Sequence, residues 1–256
     1  MAIGRKTAIS WVEPGKITIR GKRVDELIGN LSFAGAVYMV LCGHAPTPEC
    51  EKMFEAILVS VIDHGVRPPS TIAAVTVANT GADLNASVAA GILAINKYHG
   101  GAIEDCMIVL EEAIRSQSEQ RVSPPDAAAN LAAQYRQSKK RVSGFGHRHH
   151  EADPRTARLF EIAAECGLSG KYVEQAMAFE AELSKLVGKH LPINADGAIA
   201  ALLCEMKFDA AVANGIFMIA RVPGLVAHAV EERERNSPML TVDVNSYEYD
   251  GLLEGN

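Results

Sequence analysis

From Asp25 onward, apolar residues recur at three- and four-residue intervals in one segment after another, with single glycines and prolines between the segments. Phe54, Ile57, Leu58 and Val61 form one such stripe; Leu84, Val88, Gly91, Ile92 and Ile95 form another. A chain patterned this way buries its apolar faces by packing helix on helix. Helices are expected at 25–28, 32–41, 48–63, 70–78 (with Ser70 as its cap), 103–114, 126–139, 154–166, 171–188 and 197–206, with a polar loop over 116–125. Composition agrees, since aromatic residues make up only 5% while hydrophobic residues reach 48%, a balance better suited to close helix packing than to a β-sandwich. The exception is the N-terminus. Thr7–Trp11 and Ile17–Ile19 flank the turn Glu13-Pro14-Gly15-Lys16 and read as a short β-ribbon.

At 256 residues the chain is long enough for one large domain or two lobes. A net charge of -6 and a pI near 5.8 give no clustered basic footprint for nucleic acid. Anionic ligands would have to be met by particular arginines and histidines. Cys42, Cys50, Cys106, Cys166 and Cys204 are odd in number and contain no CxxC pair, which points to reduced thiols and a cytoplasmic setting. The N-terminus has no apolar signal core. The apolar run Ala210–Val230 contains Asn214, Arg221, Pro223 and His228, so it reads as a buried helix pair rather than a membrane span.

Several polar groups interrupt this apolar pattern. His99 falls one turn beyond Ile95 on the same stripe and is followed by Gly100-Gly101, which reads either as a core histidine at a glycine cap or as a working group at a helix end. Asp196, ahead of an apolar helix, has the position of an N-cap. Arg155 follows Asp153-Pro154 at a helix start and could pair with Glu151 or Glu161. Arg221 interrupts the apolar run that begins at Ile216–Ala220, where a permanently charged guanidinium needs an anion from the protein or from a ligand. His147, His149 and His150 lack the cysteine or carboxylate set of a metal site, so no metal is expected. Gly144-Phe145-Gly146 is too short for a dinucleotide fingerprint.

Taken in order, Asp63-His64-Gly65, His99-Gly100-Gly101, Gly144-Phe145-Gly146-His147, Asp153-Pro154-Arg155 and Asn194-Ala195-Asp196-Gly197 resemble the citrate synthase superfamily. The resemblance extends from Ile17 to Arg221. Within the superfamily, the short distance from Pro46-Thr47 to His64, the Asp-His-Gly form and Thr80–Leu84 resemble citryl-CoA lyases and the C-terminal citryl-CoA lyase module of ATP-citrate lyases. His99 departs from that pattern, because ATP-citrate lyases commonly carry phenylalanine there; it is similar instead to the synthases.

The resemblance implies a two-lobed helical fold, a large lobe of residues 1–102 and 205–256 and a small one of 103–204, with the site in the cleft between them. It implies catalytic roles for His99, His147 and Asp196, and substrate binding by His64, Arg155, Arg221 and Arg235, the last from across a subunit interface. Gly144, Phe145 and Gly146 would face coenzyme A. The implied reaction is cleavage of citryl-CoA to acetyl-CoA and oxaloacetate in a homodimer or higher homo-oligomer, with no cofactor beyond the coenzyme A of the substrate. A separate citryl-CoA synthetase would supply the substrate. The alternatives are a compact citrate or methylcitrate synthase and a non-catalytic paralogue that binds a CoA ligand.

Overall fold

A computed structural model describes residues 4, 6–146 and 153–241. Strands β1 (Ser10–Glu13), β2 (Lys16–Ile19) and β3 (Lys22–Arg23) form an antiparallel sheet in sequence order, with Val12 opposite Ile17 and Thr18 opposite Arg23. The expected ribbon is therefore present, with one short strand more. Eleven helices follow among the described residues: α1 (Val24–Leu27), α2 (Phe33–Cys42), α3 (Pro48–Ser60), α4 (Pro69–Asn79), α5 (Leu84–Leu93), α6 (Ala102–Gln120), α7 (Pro124–Gln137), α8 (Pro154–Glu165), α9 (Lys171–Val187), α10 (Ala195–Glu205) and α11 (Ala213–Arg235). The chain is mainly α, as its periodicity requires.

The helix starts are written locally. Ser32, Thr47, Ser123, Asp153 and Asn194 each cap a helix by accepting a backbone N–H in its first turn. Ser70 does not cap α4; it is fully buried inside the helix, and Pro68 holds the cap position. The polar loop expected over 116–125 is shorter, because α6 continues to Gln120. Gln117 donates to the Gln175 side chain on α9 and Ser118 to the Ile114 carbonyl, so polar residues here satisfy the helix rather than end it. The expected C-terminal helix pair is one helix, α11, after a 3₁₀ turn at Ala210–Val212. Pro223 lies on its exposed side, and the packed residues Ala220, Leu225 and Ala229 carry the helix through. Ala210–Arg235 is long and apolar enough to cross a membrane by length and composition, yet it carries the buried Arg221.

Contacts divide the chain into two compact units, residues 1–62 with 96–221 and residues 63–95 with 222–256. These boundaries differ from those of the expected lobes. In the first unit α6, α7, α9 and α10 pack on one another and α8 packs on α3 and α10. Its core includes Phe54, Ile57, Met107, Leu110, Phe179, Ile199, Leu202 and Leu203, all essentially without solvent exposure. In the second unit α4 packs along α5, closely enough that a Cβ on Gly91 would stand 3.0 Å from the Ser70 carbonyl oxygen. Asn79 clasps the end of α11 there, donating to Glu232 Oε1 at 2.6 Å and to the Ser237 carbonyl at 2.9 Å. Its own carbonyl accepts the Met239 N–H at 3.3 Å. The chain just after Pro238 is thus fastened to Asn79 through Leu240, whose N–H donates to Asn79 Oδ1.

Candidate active site

His99 is not on a helix. α5 ends at Leu93, and residues 96–101 form a tight turn in which Asn96 N donates to His99 O (2.8 Å) and His99 N donates to Asn96 O (2.9 Å). The apolar stripe continues through Ile95, but these paired backbone groups end the helical path. Gly100 holds a φ of 92°, and a Cβ on Gly101 would lie 2.7 Å from the Lys97 carbonyl oxygen, so both glycines are required by the turn itself. The His99 ring stands edge-on to Phe217, with centroids 5.8 Å apart and planes at 88°.

Phe217 joins this histidine to Arg221. The guanidinium, only 2% exposed, lies 4.9 Å from the centroid of the same ring. The two residues are one turn apart on α11, which is the sequence signal that could have singled out Phe217.

Asp196 occupies the first turn of α10 without capping it. Asn194 is the cap, its Oδ1 accepting Gly197 N at 3.2 Å. Asp196 is therefore available for other work. Burial pushes its carboxyl above the usual aspartate range; Arg155 and Arg221 pull it down, and Asp153 pushes it up. The two arginines that stood out in the sequence are thus within electrostatic reach of the aspartate that stood out with them.

Arg155 does not turn to Glu161, which Arg158 engages instead at 2.9 Å. It forms a fork on Asp153, with Nε to Oδ1 at 3.0 Å and NH2 to Oδ2 at 2.8 Å. Burial raises the Asp153 carboxyl, but the Arg155 side chain and the backbone donors outweigh it, and the group is held below the usual range.

The loop before His147 is pinned against the start of α10. Gly146 N donates to Pro192 O at 2.7 Å, Asn194 N to Gly144 O at 3.0 Å, and Asn194 Nδ2 to Gly146 O at 2.9 Å. The approach is close enough to demand glycine on both sides: a Cβ on Gly144 would stand 2.7 Å from Gly197 Cα, and one on Gly197 would stand 2.3 Å from Gly144 O. Phe145 packs against Phe179 at 5.8 Å. Phe145 and Gly146 also line a cavity of about 1400 Å³ whose walls carry Arg136, Lys139, Lys140, Arg141, Lys189 and His190. Sequence reasoning missed this basic lining, although Lys139-Lys140-Arg141 stands just ahead of the glycine loop.

His147 lies outside the described residues. His64 and Arg235 belong to the second unit. His64 is exposed in the segment between α3 and α4, where Asp63 Oδ2 accepts the Gly65 N–H at 2.9 Å and Asp63 Oδ1 meets His228 Nε2 at 3.0 Å. Burial raises the Asp63 carboxyl, but the Gly65 and His64 backbone N–H groups, with His228, bring it below its ordinary value. Arg235 ends α11 and pairs with Glu231 at 2.5 Å. Among the described residues, no group of three or more His, Cys, Asp or Glu side chains is placed to hold a metal ion.

A helical fold that sets a half-buried aspartate among two arginines, beside a glycine loop and a basic cavity, is that of a citrate synthase-family enzyme. Residues 32–240 match the family model described as citrate synthase, C-terminal domain, and the chain belongs to the citrate synthase family. Among solved structures, it is similar to citryl-CoA lyase from Hydrogenobacter thermophilus, with 43% identity over 97% of this chain and 95% of that one and a TM-score of 0.89. Among curated proteins, the probable ATP-citrate synthase of Dictyostelium discoideum is 26% identical over 219 residues, 79% of this chain and 34% of its own length. The citrate synthase of Heyndrickxia coagulans is 28% identical over 211 residues, 81% of this chain and 54% of its own. The chain thus spans about a third of the first of these curated relatives and about half of the second.

Proposed function

We propose that the chain is a citryl-CoA lyase, cleaving citryl-CoA to acetyl-CoA and oxaloacetate. His147 takes the proton of the tertiary hydroxyl as the adjacent C–C bond breaks and the oxaloacetate carbonyl forms. The electron pair of that bond passes into the thioester enolate, whose oxygen accepts a hydrogen bond from His99. A donor preorganised for such charge is commonly worth about 3–4 kcal/mol. Asp196 then delivers its proton to the enolate carbon and yields the methyl group of acetyl-CoA. Arg155, Arg221 and His64 hold the carboxylates, with Arg235 contributed from a partner subunit. The Gly144–Gly146 loop and the basic cavity receive the coenzyme A moiety, whose phosphates match the lysines and arginines of the walls. No resident cofactor takes part.

The observation that carries this reading is the environment of Asp196. An acid that must protonate carbon near neutral pH has to be harder to ionise than a surface aspartate, and burial pushes Asp196 in that direction. The likeness to a lyase of nearly the same length, at 43% identity, supports the direction of the reaction. His99 and the synthase relatives favour a second reading, a compact citrate synthase, in which the same groups work in reverse and the thioester is then hydrolysed. Incubation with synthetic citryl-CoA decides between them. Oxaloacetate and acetyl-CoA as products support the lyase; citrate and free coenzyme A support the synthase; no turnover of either kind refutes both.

A further inference from the structure

Asp153 makes more bonds than a helix cap needs. Its side chain is 1% exposed, and its two oxygens accept four hydrogen bonds. Oδ1 accepts Arg155 N and Arg155 Nε, both at 3.0 Å, while Oδ2 accepts Arg155 NH2 at 2.8 Å and Ala195 N at 3.1 Å. Only the first of these caps α8; serine or asparagine could make it equally well. The guanidinium fork requires two oxygens with fixed geometry, which a carboxylate supplies and an amide does not. The fourth bond reaches across to the residue directly before Asp196. A guanidinium has five N–H groups, and the fork occupies Nε–H and one on NH2, so the outer edge is left to meet another carboxylate.

We propose, resting on the assignment of Arg155 to carboxylate binding and of Asp196 as the acid, that Asp153 is a positioning residue that holds the carboxylate-binding guanidinium and the acid-bearing start of α10 in one frame. Arg155 is thereby oriented before any substrate arrives, at a fixed separation from Asp196. Among the described residues, the groups that act on Asp196 include Asp153 and Arg155 from the start of α8, Arg221 from α11 and the Cys106 thiol from α6. Removing Asp153 takes away a negative charge from this set and releases Arg155.

The test uses Asp153→Ser, which keeps the cap but loses the fork and the Ala195 bond, together with Asp153→Glu, which keeps the charge but displaces the oxygens. Each variant is purified as the full chain, and citryl-CoA turnover and the titration of the Asp196 carboxyl, by ¹³C NMR of Asp-labelled protein, are measured. The expected result for Asp153→Ser is a fall in kcat/KM of roughly 10²-fold, the size of effect a displacement of about 1 Å produces. Its KM should rise, and the Asp196 titration should move to lower pH. Asp153→Glu should keep the Asp196 titration nearer wild type while remaining impaired in turnover. Lower thermal stability with unchanged kcat/KM, KM and Asp196 titration would mean that Asp153 only caps α8, and the proposal would be overturned. The NMR arm needs no activity: if wild type fails to turn over citryl-CoA the functional reading falls, and an unmoved Asp196 titration in Asp153→Ser overturns the coupling independently.

Discussion

Replacing Gly197 with alanine places a Cβ 2.3 Å from the Gly144 carbonyl oxygen and 3.1 Å from Ile193 Cγ2. Ordinary contact begins near 3.4 Å, so the carbonyl must retreat by about 1 Å, well up the repulsive wall of a contact potential. The obstacle is backbone, held by the Asn194 N–H at 3.0 Å, rather than the free end of a flexible side chain. Overpacking of this kind costs about 1–3 kcal/mol. Loss of the hydrogen bond at Gly144 O adds about 1 kcal/mol. The sum, about 2–4 kcal/mol, lowers Tm by roughly 5–15 °C in a domain of this size. Because Gly197 follows Asp196 and Gly144 stands three residues before His147, turnover of citryl-CoA should fall by roughly 10²-fold as well. Gly215→Ala is the control: nothing lies within 4 Å of its Cβ, it sits in α11, and it should be neutral or stabilising by up to about 1 kcal/mol. Differential scanning fluorimetry at fixed protein concentration, with kcat/KM measured well below the transition, reads both quantities. A Gly197→Ala variant within about 2 °C of wild type, a small fraction of the expected shift, or destabilised no more than Gly215→Ala, would refute the claim that the Gly144–Gly197 contact fixes the loop.

Asp196→Asn should lose turnover by orders of magnitude and yet gain stability at neutral pH. The sign follows from the raised carboxyl: the native state holds the proton more tightly than the unfolded chain, so wild-type stability falls as pH rises from the ordinary aspartate range through the raised native value. The uncharged variant escapes that loss, so its Tm advantage should grow across this window; no advantage at about pH 8, above that window, would contradict the burial argument. Binding of oxaloacetate should take up protons, because carboxylates bound to Arg155 and Arg221 cancel the charges that lower the Asp196 carboxyl. Calorimetry in two buffers of different ionisation heat measures the uptake, and persistence of the full uptake in Asp196→Asn would assign it elsewhere. Burial holds the Cys106 and Cys204 thiols far above their ordinary values. A disulfide reagent should therefore reach only Cys42, Cys50 and Cys166 in the native protein and all five cysteines after unfolding.

Most of the helices were legible because their ends are local chemistry: a capping hydroxyl at Ser32 or Thr47, and a left-handed glycine after α2 at Gly43 or after α9 at Gly188. His99 was misplaced onto a helix because periodicity registers side chains, and the turn at 96–101 is closed by backbone pairs while Ile95 keeps the apolar rhythm. The polar end of α6 was misread for the opposite reason, since Gln117 is met by Gln175 on α9, a partner that local pattern does not record. Asp196 looked like a cap because it precedes an apolar helix; Asn194, two residues earlier, takes that role. The basic cavity escaped notice because Lys139–Arg141 and Lys189-His190 are far apart in the chain and meet only through the packing of α7 on α9.

The recognisable segments each combine a residue that ends a helix, a residue with chemistry, and a residue small or rigid enough for close approach. Asp153-Pro154-Arg155 supplies a cap, a fixed φ and a guanidinium; Asn194-Ala195-Asp196-Gly197 supplies a cap, an acid and the glycine that admits Gly144. These segments bond to one another: Asp153 to Ala195, Asn194 to Gly144 and Gly146. A change in one therefore moves the groups of the others. Substitutions at Asp153, Asn194 and Gly197 should then combine non-additively, as residues sharing one hydrogen-bond network do, whereas Gly215, outside the network, should add simply to each. That coupling is also why several weak motifs in order are more telling than any one of them: the geometry that makes each useful exists only when the others are present.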